Sequence, residues 1–194
     1  MEKLIIGSRG SKLEFKYAEI AKKAFLKELD IEIEIKKITT EGDLILDRRT
    51  SEIGGKGEFI KNIEKELISK NIDVAVHSLK DVPSIKTKGL SIECFLKRND
   101  PQEVLINKAN LTLDKIKKNS LIGTSSLRRE FQLKHLRSDL NFKLIRGNID
   151  TRIKKLDEDQ YDSIILAKAG LLSLSMENRT VYYTHLTLPT TRLV

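Results

Sequence analysis

The stretch LIGTSSLRREFQLKHL, residues 121–136, decides the fold class. Leu121 to Gly123 is a short apolar run closing in glycine, which reads as a buried strand, and Ser125 to Leu136 has helical spacing. Between them Thr124, Ser125 and Ser126 are three candidate helix caps. A strand that turns directly into a helix is the building unit of an α/β fold.

The same rhythm runs outward in both directions. Lys3 to Gly7 reads as a buried strand. Ser11 to Leu29 reads as a helix, with apolar residues at Leu13, Tyr17, Ile20, Ala21, Ala24 and Phe25, and Ile31 to Ile35 as a half-buried strand. Phe59 to Ser69 is helical, and Ile72–Val76 and Leu90–Leu96 are strands. Beyond 121–136, the segments Glu103–Ile106, Phe142–Ile145 and Ser163–Ala167 read as strands and Thr151–Leu156 as a helix. Thr39 to Gly57 is a polar, glycine-rich loop, and Lys97 to Pro101 is a polar crossing. The expected architecture is two small α/β lobes with mixed, largely parallel sheets and a cleft between them: residues 1–97, an incomplete first lobe, and 98–179, the second. The last stretch, TVYYTHLTLPTTRLV (180–194), has no Asp, Glu or Lys, unlike everything before it, and reads as a foreign or exposed tail.

Composition removes several classes. The 194 residues carry 36 Lys plus Arg against 28 Asp plus Glu, a formal charge of +8. No apolar run approaches the roughly 20 residues that span a bilayer, and the N-terminus has no signal-peptide core, so a cytoplasmic protein is expected. Cys94 is the single cysteine, which forbids an internal disulfide, and its strand-like context predicts a buried thiol. His77, His135 and His185 are far apart and no His/Cys cluster has metal-ligand spacing, so no metal is expected. The positive charge calls for an anionic partner. Aromatic residues are only 5% with no Trp, which argues against a base-stacking nucleic-acid binder, and many Lys stand beside Glu on solvated helix faces.

The arginines are placed differently. Three strand-to-helix junctions carry them beside hydroxyl or glycine residues: Gly7 to Ser11 with Arg9, Gly123 to Arg129 with Arg128 and Arg129, and Ile145 to Arg152 with Arg146 and Arg152. In α/β sheets, ligands bind at these junctions, and helix N-termini favour anions. Arg128 and Arg129 in a first helical turn oppose the helix dipole at a cost of a few tenths of a kcal/mol. A docked anion reverses that sign; alternatively the two arginines point away into solvent. Arginine suits carboxylates through bidentate pairing. A compact phosphate site is not supported, because no G-x-G-x-x-G follows a strand and Gly54-Gly-Lys-Gly57 lacks the Ser/Thr of a P-loop. At a fourth junction, His77 to Pro83, Asp81 either steadies a cation or accepts an N–H, or simply pairs with Lys80 or an arginine. His77 reads as a packing or hydrogen-bonding residue rather than a base.

Taken together, VAVHSLKDVP (74–83), IGTSSLRR (122–129), LIRGN (144–148) with Thr151-Arg152, GGKGEF (54–59), the 6–13 start and AKAGL (167–171) resemble the porphobilinogen deaminase (hydroxymethylbilane synthase) family over residues 3–179. The resemblance implies a transferase that joins four porphobilinogen molecules head to tail with loss of ammonia, in tetrapyrrole (heme) biosynthesis. It also implies a covalent dipyrromethane primer on a cysteine, a periplasmic-binding-protein-like pair of lobes, a third small domain, and a monomer with no nucleic-acid or membrane partner. Asp81 then matches the catalytic carboxylate, holding pyrrole N–H groups and stabilising the cationic azafulvene. Arg9, Ser11, Arg146 and Arg152 match substrate carboxylate binders. Ser78, Lys80, Thr124, Ser126, Arg128, Arg129 and Asn148 match residues around the primer. Gly54–Gly57 matches a mobile loop, with the substrate-side Phe59 at its edge. Cys94 does not match the primer-bearing cysteine, and the third domain is not recognisable, so little or no turnover is expected of this chain. A non-catalytic module that binds a carboxylate-rich ligand is the alternative.

Overall fold

The computed structural model describes residues 3–40, 60–180 and the backbone of 182–184. Its contacts divide the chain into two compact units, Met1–Arg98 and Asn99–Val194.

In the first unit β1 (Lys3–Arg9), α1 (Lys12–Glu28), β2 (Glu32–Ile38), α2 (Lys61–Ile68) and β3 (Val74–Ala75) follow one another. The strands form a three-stranded sheet in the order β2-β1-β3, and both pairings are parallel. Leu4, Ile5 and Ile6 of the central strand are apolar without alternation, as expected of a strand covered on both faces. Leu4 and Ile6 pack with Ala18 and Phe25 of α1 and with Ile33. Ile5 packs on the opposite face with Ile63 and Leu67 of α2, Ile38 and Ile72.

The second unit contains β4 (Glu103–Ile106), β5 (Leu121–Gly123), α3 (Leu127–Leu136), β6 (Asn141–Lys143), α4 (Ile149–Asp157), β7 (Ser163–Ala167), α5 (Lys168–Ser173) and β8 (Tyr182–Thr184). Its sheet has the order β6-β5-β7-β4-β8. β5 runs parallel to β6 and β7, whereas β4 is antiparallel to both β7 and β8. Alternate residues of β4 and β7 again serve two cores. Val104, Ile106, Ile164 and Leu166 meet Ile153 and Leu156 of α4, and Leu105 and Ile165 meet Leu133 of α3. β8 lies inside the stretch expected as a separate tail, and it adds an edge strand to this sheet.

Two expectations fail in the first unit. Leu90 to Leu96 forms no strand: it is irregular, with Phe95 and Leu96 exposed. Alternation does not suffice for a strand without a neighbour to take its backbone hydrogen bonds, and no described strand pairs with it. Cys94 is consequently exposed rather than buried. The expected Ile72–Val76 strand contracts to Val74–Ala75, and the expected Thr39–Gly57 loop, with Gly54–Gly57 and Phe59, lies almost entirely outside the described residues. No described helix is long and apolar enough to cross a membrane.

One glycine is fixed by backbone geometry close to the arginines. Gly147 has φ +107, and a Cβ there would stand 2.8 Å from Thr151 Cγ2. Gly147→Ala is therefore expected to cost about 1–3 kcal/mol in a denaturant titration. Gly10→Ala, whose Cβ meets nothing within 4 Å, should leave the transition within about 0.5 kcal/mol of the original.

Candidate functional site

In the first unit the functional side chains gather where the parallel strands deliver their carboxyl ends. Arg9 closes β1, and Ser11 caps α1, its Oγ accepting the Glu14 N–H at 3.3 Å. After β3 the chain passes His77 and Ser78 into a single 3-10 turn, Leu79–Asp81, closed by the Asp81 N–H to the Ser78 carbonyl at 2.9 Å. Ser78 Oγ donates to Glu14 Oε1 at 3.0 Å, which ties this turn to α1. Glu14 is only 5% exposed. Burial pushes its carboxyl up; the Ser78 hydrogen bond and the Arg9 charge oppose this, Asp81 adds to it, and Lys80 pulls it down. His77 is lowered to about 4 by burial and then by the Arg9 charge, so it is neutral near pH 7. Arg9, Ser11, Ser78, Lys80 and Asp81 are thus brought together, and the structure adds Glu14. Its sequence signal, the S-x-x-E spacing of Ser11 and Glu14, reads as a capping box and gives no hint of Ser78.

In the second unit Thr124 is buried and its Oγ1 accepts the Ser126 N–H at 3.2 Å. Ser126 is the cap of α3, accepting the Arg129 N–H at 3.4 Å. Arg128 and Arg129 occupy the first turn as expected, but the chain supplies a carboxylate of its own. Glu103 of β4, 3% exposed, bonds Arg128 through Oε1 and pairs with Arg129 through Oε2 at 2.6 Å. Neither reading of this arginine pair from sequence included Glu103, because nothing local links residue 103 to residue 128. Arg129 also donates to the Ile165 carbonyl at 3.2 Å, while its Nε is buried with no acceptor among the described residues.

The third junction comes to the same place. Arg152 of α4 donates to the Gly147 carbonyl at 2.8 Å and to Ser125 Oγ at 3.2 Å. Its guanidinium is lowered to about 10, first by burial and then by the like charges of Arg129 and Arg146. Arg129, Arg146 and Arg152 therefore form one electrostatically coupled cluster. Asn148 caps the start of α4 without a side-chain cap bond and is exposed. Among the described residues no His/Cys/Asp/Glu group could hold a metal ion.

Residues 4–193 match the family model described as "Porphobilinogen deaminase, dipyromethane cofactor binding domain". The chain belongs to the porphobilinogen deaminase family. Porphobilinogen deaminases of Bacillus thuringiensis (strain Al Hakam) and Bacillus anthracis are 46% identical to it over 186 residues, which cover 93% of this chain and 59% of each relative. The chain thus spans about three-fifths of the length of these relatives. Two solved structures share the fold at low identity. A periplasmic substrate-binding protein of an ABC transporter from Coxiella burnetii has TM-score 0.55 and 12% identity, over 96% of this chain and 81% of its own. The reduced regulatory domain of OxyR2 from Vibrio vulnificus has TM-score 0.51 and 11% identity, over 94% and 79%. These likenesses bear out the expected periplasmic-binding-protein-like lobes.

The family implies a dipyrromethane, whose acid arms need cationic donors. Coupled arginines beside a helix N-terminus, with the buried Arg129 Nε–H lacking an acceptor among the described residues, suit those arms. A tether is another matter. The only cysteine, Cys94, is exposed in irregular chain of the first unit, so the second unit contains no thiol.

Two outcomes follow. Glu103→Gln leaves two guanidiniums without their shared carboxylate and is expected to lower stability by about 2–4 kcal/mol, read as a fall in melting temperature of at least about 5 °C. His77 binds protons more tightly in the unfolded chain (ordinary value 6.5) than in the folded one (about 4). Its contribution is complete above pH 6.5 and is lost as the pH falls towards 4, by about 3 kcal/mol in all. Subtracting the pH profile of His77→Gln from that of the wild type should isolate this acid-side slope.

Proposed function

We propose that this chain is the part of a hydroxymethylbilane synthase that binds the linear pyrrole polycarboxylate, and that Asp81 serves the condensation of porphobilinogen units with loss of ammonia. The observation that carries the reading is the coupled Arg129–Arg146–Arg152 cluster, with Arg152 held at about 10 by burial and like charge. Such a cluster is a standing electrostatic cost that an anionic ligand relieves. Acetate and propionate arms of a growing pyrrole chain are such anions, and arginine offers them bidentate pairing.

Roles are assigned from the residues present. In the second unit Arg146 and Arg152 are assigned to substrate carboxylates; in the first unit Arg9 and Ser11 are assigned the same role. Thr124, Ser126, Arg128, Arg129 and Asn148 of the second unit are assigned to primer binding, as are Ser78 and Lys80 of the first, and Phe59 to substrate binding. A dipyrromethane, when bound, supplies the pyrrole carbon to which the first porphobilinogen is joined. Asp81, partly exposed beside Lys80 on the 3-10 turn, accepts pyrrole N–H groups and steadies the positive charge that develops as ammonia leaves. That is electrostatic preorganisation, with the charge in place before the reaction. The protein acts as a cytoplasmic monomer with no nucleic-acid or membrane partner. The placement of Cys94 favours binding without sustained turnover by this chain alone.

Calorimetric titration with porphobilinogen tests the binding. Saturable binding is expected, weakened about tenfold or more by Arg152→Gln, in line with the roughly 1.5–3 kcal/mol of a charged hydrogen bond. Consumption of porphobilinogen by this chain should be low, and in a chain that turns over, Asp81→Asn should cut the rate by about 10²–10³. Normal consumption by the 194-residue chain, or unaltered affinity in Arg152→Gln, counts against the reading.

A further inference from the structure

Three hydroxyl residues stand in a row between β5 and α3, and their side chains do different things. Thr124 Oγ1 accepts the Ser126 N–H at 3.2 Å, and Ser126 Oγ accepts the Arg129 N–H at 3.4 Å. Both serve the backbone of their own junction. Ser125 does not. Its Oγ accepts a hydrogen bond at 3.2 Å from Nη1 of Arg152, a side chain of the next junction, 27 residues along the chain.

The other hold on Arg152 lies within its own junction. Its Nε donates to the Gly147 carbonyl at 2.8 Å, and Lys155 of the same helix donates to the Arg146 carbonyl at 3.2 Å. A guanidinium is a rigid planar fork. One bonded N–H lets the fork turn about that bond, and a second bond to a different element fixes its plane. Both acceptors on Arg152 are neutral. The charges that act on it are those of Arg129 and Arg146, which disfavour its own, with Tyr161 opposing them. For stability alone an aspartate at position 125 serves better, because it reaches the same guanidinium and also supplies the missing negative charge.

We propose that Ser125 is a positioning residue: its hydroxyl sets the plane of the Arg152 guanidinium and, being neutral, keeps that cation available to an anionic ligand. That the anion is an acid arm of porphobilinogen rests on the function proposed above; the aiming of Arg152 does not.

The full 194-residue chain is compared with Ser125→Ala and Ser125→Asp. Arginine side-chain ¹⁵N NMR needs no ligand, and the Arg152 signals are assigned by their loss in Arg152→Gln. Separate Nη signals, reporting hindered rotation, are expected in the wild type and averaged ones in Ser125→Ala. By calorimetry, Ser125→Ala should weaken porphobilinogen binding about three- to tenfold and have no further effect on top of Arg152→Gln. Ser125→Asp should weaken it at least as much while its melting temperature stays at or above that of the wild type. A purely structural role would lower affinity and melting temperature together in both variants. That result, Arg152 signals indifferent to Ser125→Ala, unaltered affinity in Ser125→Asp, or a further loss on top of Arg152→Gln overturns the proposal. Ser125-dependent Arg152 signals in a chain that fails to bind porphobilinogen support the aiming of Arg152 and remove the deaminase reading instead.

Discussion

Glu103 organises the second unit. A lone buried carboxylate is costly, and here two guanidiniums from the next helix offset that cost. The pairing depends on strand direction. β4 is antiparallel to β7, with Glu103 opposite Ala167, so the first residue of β4 stands at the same end of the sheet as the last residue of β7. The parallel strands β5, β6 and β7 deliver their carboxyl ends there, and α3 starts there. Had β4 run parallel, Glu103 would sit at the opposite end and Arg128 and Arg129 would face the positive end of their own helix without a counter-charge.

That internal pairing also sorts the arginines. Arg128 and Arg129 share Glu103, whereas Arg152 donates to a backbone carbonyl and a hydroxyl, both neutral. Neutral acceptors fix the direction of a guanidinium without neutralising it. The charge of Arg152 is therefore left in the company of Arg129 and Arg146, in a fixed position and with an electrostatic reason to accept an anion. Gly147 serves both parts of this arrangement: its left-handed backbone makes the turn after Arg146, and its carbonyl receives Arg152.

What could be read from the sequence was local. Ser163–Ala167 is a strand with the bounds its apolar run suggested, Ser126 caps the helix that carries the arginine pair, and each arginine-bearing junction lies at a strand's carboxyl end. What could not be read was tertiary. The partners of the key cations and hydroxyls, Glu103 and Glu14, are 25 and 64 residues away from Arg128 and Ser78, and their own neighbours suggest a strand residue and a capping box. The failed strand at Leu90–Leu96 has the same cause. Alternation describes what a strand does with its side chains, but a strand exists only where a neighbour takes its backbone groups, and that neighbour is not written in the segment itself. The family resemblance pointed to residues at these junctions and still left the internal carboxylates unseen.

The two units deal with buried ionisable groups in opposite ways. In the second, Glu103 stays an anion because two cations meet it directly. In the first, burial favours the neutral forms of His77 and Glu14, the histidine helped by Arg9 and the glutamate by Asp81. Burial thus raises the cost of charge on both, and the groups of that cluster nearer water are Lys80, exposed, and Asp81, partly exposed, on the 3-10 turn. A buried carboxyl can be kept either by meeting its charge with cations or by disfavouring the charge itself, and each unit uses one of these two ways.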